Sequence, residues 1–135
     1  MTMVDSSVWI DFFRGSLSPQ VELLEKLLEE RAALVGDLVM VEVLQGFAHD
    51  HQFRFALRRF SYLPTVTIAD PEIAVAAARN YRSLRAKGVT IRKTIDTLIA
   101  TRCIALDVPL LYSDRDFDPF AAHLGLKSAL PLAAS

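Results

Sequence analysis

Strands that alternate with helices along the chain predict a three-layer α/β/α domain, with a mostly parallel sheet covered on both faces. Short apolar runs ending in turn or cap residues alternate with longer amphipathic runs. The length, 135 residues, matches one ordinary domain, so residues 1–135 are read as a single unit. A hydrophobic content of 52%, with only 5 Gly and 6 Pro, excludes a collagen-like or disordered chain.

Each element has a local justification. Met1–Val4 is an apolar run stopped by Asp5-Ser6-Ser7, residues that favour helix caps over strand interiors, so a strand and then a helix are expected. The helix runs through Val8-Trp9-Ile10-Asp11-Phe12-Phe13 and stops at Gly15. Ser18-Pro19 offers an N-cap with proline at the first helical position, and Val21, Leu24, Leu27 and Leu28 carry an amphipathic helix to Arg31. Ala32–Val35 reads as a brief strand ending at Gly36-Asp37. Leu38–Leu44 is ambiguous: its β-branched residues favour a strand, whereas Asp37 and Gly46 equally bracket a buried helix. His49–Phe60 is expected to be helical with Phe53, Leu57 and Phe60 on one face, and Thr65–Ile68 to be a strand. Asp70-Pro71 caps a helix to Lys87, with Ile73, Ala76, Ala77, Tyr81 and Leu84 inward and Gly88 as its stop. Thr94–Leu106 reads as a helix, Leu110–Tyr112 as a strand, Phe117–Leu124 as a short helix and Leu126–Leu130 as a last short strand.

Fifteen Lys and Arg against sixteen Asp and Glu leave a net charge of −1, which at first argues against a basic nucleic-acid binder. The distribution says otherwise. Residues 1–53 carry −6, residues 54–102 carry +7 and residues 103–135 carry −2. From Arg79 to Arg102 there are seven bases and one acid, Asp96: a strip suited to phosphate, or a solvated helix face. The single cysteine, Cys103, closes no intrachain disulfide, forms no Cys-based metal site and reads as a small buried hydrophobe. No apolar run reaches the roughly 18 to 20 residues of a membrane span, and no basic stretch leads into an apolar one at the N-terminus, so a reducing cytoplasm and no membrane partner are expected.

In a parallel α/β sheet, sites form beyond the carboxyl ends of the strands where the strand order reverses. Asp5 follows the first strand and Asp114 follows Leu110-Leu111-Tyr112-Ser113, so both fall on that rim. Asp96 lies early in an apolar helix, and Glu42 is the only charge in Leu38–Leu44. Taken singly, each has a plain explanation as a cap, a turn residue or a partly exposed helix residue. Taken together, neighbouring carboxylates about 4 Å apart repel by roughly 4 kcal/mol at an effective dielectric near 20, and something must neutralise them. Oxygen-only ligands point to a hard divalent cation, Mg²⁺ or Mn²⁺, which suits phosphate chemistry. His49, His51 and His123 are read as surface residues, and no Gly-rich phosphate loop, Gly-x-Ser-x-Gly elbow or His-Glu-x-x-His is present.

Four blocks, Val4–Phe12, Gly36–Gly46, Thr94–Ala100 and Ser113–Asp118, resemble in order the signature blocks of PIN-domain ribonucleases and, more narrowly, of VapC toxins of bacterial toxin–antitoxin pairs. The similarity runs from about residue 2 to 127 and leaves 128–135 as a tail. The resemblance implies a five-stranded parallel sheet, puts Glu42 on a helix, and carries the family's acidic quartet onto Asp5, Glu42, Asp96 and Asp114 with Asp116 as an auxiliary acid. It further implies Mg²⁺- or Mn²⁺-dependent endonucleolytic cleavage of RNA, a homodimer that forms a heterotetramer or larger assembly with its antitoxin, and neutralisation by a cognate VapB-type antitoxin.

On that basis Asp5, Asp96, Asp114 and Asp116 are expected to hold the metal, and Glu42 to help hold it or to orient the attacking water. Ser6 or Thr97 is expected to donate to a carboxylate or phosphate, or else to serve capping and packing. Arg82, Arg85, Lys87, Arg92 and Lys93 are expected to hold RNA phosphates. Trp9, Phe12, Phe13, Phe47 and Phe53 offer an antitoxin groove or, for most of them, core packing. A metal-dependent phosphatase would want an Asp-x-Asp pair directly after the first strand, where this chain has Asp5-Ser6-Ser7. A catalytically inactive RNA-binding module would have little use for an intact acidic set.

Overall fold

The computed structural model describes residues 1–132. Four strands, β1 (Thr2–Val4), β2 (Ala33–Gly36), β3 (Thr65–Val66) and β4 (Leu110–Leu111), form a wholly parallel sheet in the order β3-β2-β1-β4. Between and after them run α1 (Ser6–Phe13), α2 (Pro19–Glu29), α3 (Asp37–Leu44), α4 (Asp50–Ser61), α5 (Pro71–Ala86), α6 (Thr94–Leu106) and α7 (Asp118–His123), which flank the sheet. The expected caps form: Ser18 Oγ accepts from Val21 N at 3.1 Å, and Asp70 Oδ1 accepts from Ile73 N at 2.9 Å.

The topology fixes where a site can open. From β1 the chain adds β2 and β3 outward on one side, then returns through α5 and α6 to add β4 on the other. The strand order therefore reverses at β1, and a crevice lies beyond the carboxyl ends of β1 and β4. Register brings Val4 beside Leu111, and Asp5 N donates to Leu111 O at 2.9 Å.

Several boundaries differ from the sequence expectation. The strand expected at Leu126–Leu130 is reduced to a single parallel bridge between Leu110 and Ser128, so among the described residues the sheet has four strands and not the expected five. Leu110 N donates to Lys127 O and Ala129 N donates to Leu110 O, both at 2.9 Å. With β4 only two residues long, there is no further rung to pair. The stretch taken as a tail starts on this bridge, and Ala129, Leu130 and Leu132 pack against the core. Residues 133–135 lie outside the described residues.

The end of β3 comes early because Ile68 N leaves the ladder and donates to Asp37 Oδ1 at 2.9 Å. That oxygen also accepts from Leu38 N at 2.8 Å, and Gly36, not Asp37, takes the N-cap of α3. Leu38–Leu44 is thus helical, with Val39 and Val43 buried one turn apart and Val41 exposed. On α4 only Ala56 and Phe60 are buried, and Leu57 faces solvent, since the buried stripe there is narrower than its apolar residues allow. Trp9 is fully buried, 5.0 Å from Phe60 in an edge-to-face pair, which removes it from any docking surface. Cys103 is fully buried, and burial pushes its thiol up to about 12, so it stays an uncharged hydrophobe.

Gly36 is required by proximity. A Cβ there would stand 2.6 Å from Ile68 Cδ1 and 2.7 Å from Cγ1, so the side chain of Ile68, itself fully buried, would have to shift. Gly36→Ala is therefore expected to destabilise the fold by about 1–3 kcal/mol, the usual cost of overpacking. Urea unfolding measures it directly: an unchanged midpoint would show that Ile68 can move aside.

Candidate active site

Five acids line the rim of the crevice, delivered by four pieces of local structure. Asp5 is the N-cap of α1, extended in backbone as it leaves β1. Glu42 sits in the second turn of α3, Asp96 in the first turn of α6, and Asp114 and Asp116 flank the start of a 3-10 turn, Arg115–Phe117, after β4. The oxygens of Asp96, Asp114 and Asp116 come within 4.8 Å of one another. Asp5 and Glu42 stand within electrostatic reach of that trio, since Asp5, Glu42 and Asp114 all raise the pKa of Asp96. Asp118, next in the segment, is not part of the group: Tyr112 Oη donates to its Oδ1 at 3.2 Å, and Arg115 lies 3.5 Å from its Oδ2.

Hydrogen bonds decide which oxygens remain open. Asp5 Oδ2 accepts from Ser7 N at 3.1 Å and from Ser7 Oγ at 2.6 Å. The same Oγ accepts from Ser113 N at 3.3 Å, so one hydroxyl ties the end of β1 to the segment that carries Asp114. Asp5 Oδ1, Glu42 Oε1 and Asp96 Oδ2 are buried and, among the described residues, have no donor. Buried carboxylate oxygens without donors are costly unless a cation supplies the missing charge. A hard, oxygen-loving divalent cation fits this donor set.

The hydroxyl that fixes Asp5 is Ser7, which the sequence reading did not single out. Ser6 meets a carboxylate as expected, its side chain easing the ionisation of Glu42, whereas Thr97 Oγ1 is buried with no partner among the described residues. The signal for Ser7 lay in capping itself: an N-cap acid bonds the residues two and three positions on. Of the basic residues, Arg92 and Lys93 meet the acids. Arg92 Nη2 is 3.2 Å from Asp116 Oδ2, and Lys93 Nζ is 3.9 Å from Asp114 Oδ2. Arg82, Arg85 and Lys87 lie exposed at the end of α5, with the Arg85 guanidinium 5.7 Å from the centre of the Tyr81 ring.

Crowding and burial shift the acids together. Burial is the main cause that raises Asp5, with Asp114 adding repulsion against the Ser7 bonds. Burial and then Asp5 raise Glu42, while Ser6 and Lys93 oppose the shift. Burial, then Asp5, raises Asp96 to about 7 from 3.8. An acid whose folded pKa is raised holds its proton more tightly when folded, so stability is greatest below the unfolded pKa and falls as pH rises through the folded one. Without divalent cations, the urea midpoint is expected to fall between pH 5 and pH 8, and Asp96→Asn to flatten the fall. A midpoint that rises over this window would contradict the crowded-acid geometry.

The match to known proteins follows the geometry. The PIN domain family model matches residues 2–122. A VapC ribonuclease of Mycobacterium bovis and Ribonuclease VapC11 of Mycobacterium tuberculosis are each 31% identical over 131 residues, 96% of this chain and 98% of theirs. The fold superposes on VapBC2 of Rickettsia felis bound to a promoter DNA fragment with a TM-score of 0.74, at 19% identity over 94% of this chain and 96% of that one. It also superposes on a toxin–antitoxin complex of Klebsiella pneumoniae with a TM-score of 0.69, at 17% identity over 98% of this chain and all (100%) of that one. Those likenesses speak for the fold, and the near-full-length sequence matches speak for the family: the chain belongs to the PIN-domain family and, within it, to the VapC ribonucleases.

Proposed function

We propose that the chain, as one PIN domain over residues 1–135, is the ribonuclease toxin of a VapBC pair: a Mg²⁺- or Mn²⁺-dependent endonuclease that hydrolyses RNA phosphodiester bonds in the cytoplasm and stops growth until its antitoxin covers it. The observation that carries this reading is the set of buried carboxylate oxygens without donors, on Asp5, Glu42 and Asp96, beside the Asp96–Asp114–Asp116 trio.

Asp96, Asp114 and Asp116 would hold the cation, and Asp5 Oδ1, left without a donor while Ser7 occupies Oδ2, would be open to it. When bound, the cation supplies Lewis acidity, neutralising non-bridging phosphate oxygens and lowering the pKa of an attacking water. Glu42, kept above the usual carboxylate range, would take the proton of the attacking water as its oxygen bonds to phosphorus and the bridging P–O bond breaks, the leaving oxygen taking a proton from solvent water. Arg82, Arg85 and Lys87 draw the RNA backbone along the exposed end of α5 in a salt-dependent way, with Arg92 and Lys93 nearest the acids.

The partner reading is a homodimer that binds a VapB-type antitoxin as a heterotetramer or larger assembly, in keeping with structural neighbours that are VapBC complexes. A cleft of 450 Å³ lined by Ile10, Phe13, Val43, Gly46, Phe47 and Gln52 suits an apolar inhibitor segment. Phe55, exposed and 6.3 Å from the Phe13 ring, extends this surface, in place of the buried Trp9 and in addition to the half-buried Phe53.

Purified protein incubated with total RNA is expected to cut only when Mg²⁺ or Mn²⁺ is present, and Asp96→Asn to lose at least about a hundredfold of that activity while keeping the far-UV circular dichroism of the folded protein. Cleavage retained in Asp96→Asn would sink the assignment. Turnover of a small phosphomonoester without RNA cleavage would replace it with a phosphatase.

A further inference from the structure

Arg92 reaches Asp116 from the segment just before α6, with Nη2 at 3.3 Å from Oδ1 and 3.2 Å from Oδ2. Lys93 makes the parallel approach to Asp114. Both acids belong to the trio whose oxygens meet within 4.8 Å, so the cationic side chains and a divalent cation address the same carboxylates. The two sides of the contact are built differently. Asp114 Oδ1 accepts from Asp116 N at 2.9 Å, which fixes the acidic turn. The Arg92 side chain is 78% exposed, whereas that of Asp116 is 22% exposed. A carboxylate engaged at both oxygens by a guanidinium has fewer lone pairs for a metal. A guanidinium displaced from it stands at the rim with the geometry that suits phosphate.

Resting on the ribonuclease reading above, we propose that Arg92 competes with the divalent cation for Asp116, so that cation loading turns its guanidinium from carboxylate to RNA phosphate. Lys93 follows the same exchange at Asp114 with a weaker hold. Cation and RNA then promote each other's binding through one side chain, and the linkage is reciprocal.

Calorimetric titration of Mn²⁺ tests the first half. R92Q is expected to bind Mn²⁺ about three- to five-fold more tightly than the unaltered protein, the scale of an exposed ion pair. R92K, which keeps the charge without the planar fork, is expected to fall between them. R79Q, which removes the same charge from α5, away from Asp116, is expected to leave the affinity unchanged. Fluorescence anisotropy of a labelled single-stranded oligoribonucleotide in EDTA tests the second half. D116N is expected to bind it more tightly than the unaltered protein, and R92Q/D116N to lose that gain. Equal or weaker Mn²⁺ binding by R92Q, or an equal gain in R79Q, overturns the competition. A gain that survives in R92Q/D116N overturns the capture of phosphate by Arg92. Failure of the unaltered protein to bind Mn²⁺ at all overturns the ribonuclease reading itself, a result separate from the other two.

Discussion

Mutual repulsion among carboxylates gathered at the reversal point of a parallel sheet is the constraint around which this molecule is organised. Asp5 leaves β1, Asp114 leaves β4, and α3 and α6 bring Glu42 and Asp96 to the same rim. Burial and proximity both oppose ionisation of Asp5, Glu42 and Asp96, and Asp96 is raised to about 7 as a result. A fold seeking stability alone would not assemble this group. Strand pairing and helix packing elsewhere hold the backbone that carries it.

The supporting contacts are few and specific. The Ser7 hydroxyl bonds Asp5 and receives the Ser113 amide, locking the two strand ends on either side of the reversal. Asp37 does similar work on the far side of β1, where its Oδ1 holds the first amide of α3 and the amide of Ile68. Gly36 lets Ile68 close over that junction, which sets where α3 begins and hence the height at which Glu42 meets the crevice.

Much of this was legible in the chain, and the remainder was not for physical reasons. Caps such as Ser18-Pro19 and Asp70-Pro71 announce helix starts because they act over three residues. Leu38–Leu44 was undecidable by propensity, because a buried helix and a buried strand select the same residues, and only the family resemblance put Glu42 on a helix. The shortfall at Leu126–Leu130 and the early end of β3 depend on long-range partners, Leu110 and Asp37, that no local pattern reveals. Glu42 and Asp96 stand out as single charges in apolar runs and Asp5 and Asp114 as acids that follow strands; each signal is weak alone, and they gain force only as a set and through the family resemblance. That Ser7 holds Asp5 while Ser6 meets Glu42, and that Arg92 meets Asp116, are matters of side-chain direction that a sequence does not display.

The opposite charges of the acidic rim and the basic stretch also explain how a chain of net charge −1 suits a nucleic acid. A cation neutralises the first, and the second stays available to phosphate. The central claim, that a divalent cation relieves the crowded acids, is tested most directly by the thermal midpoint in Mn²⁺ against EDTA at matched ionic strength and pH 7.5. A saturable rise of several degrees that is lost in Asp96→Asn is the predicted result. No rise, or a rise that Asp96→Asn retains in full, would contradict it.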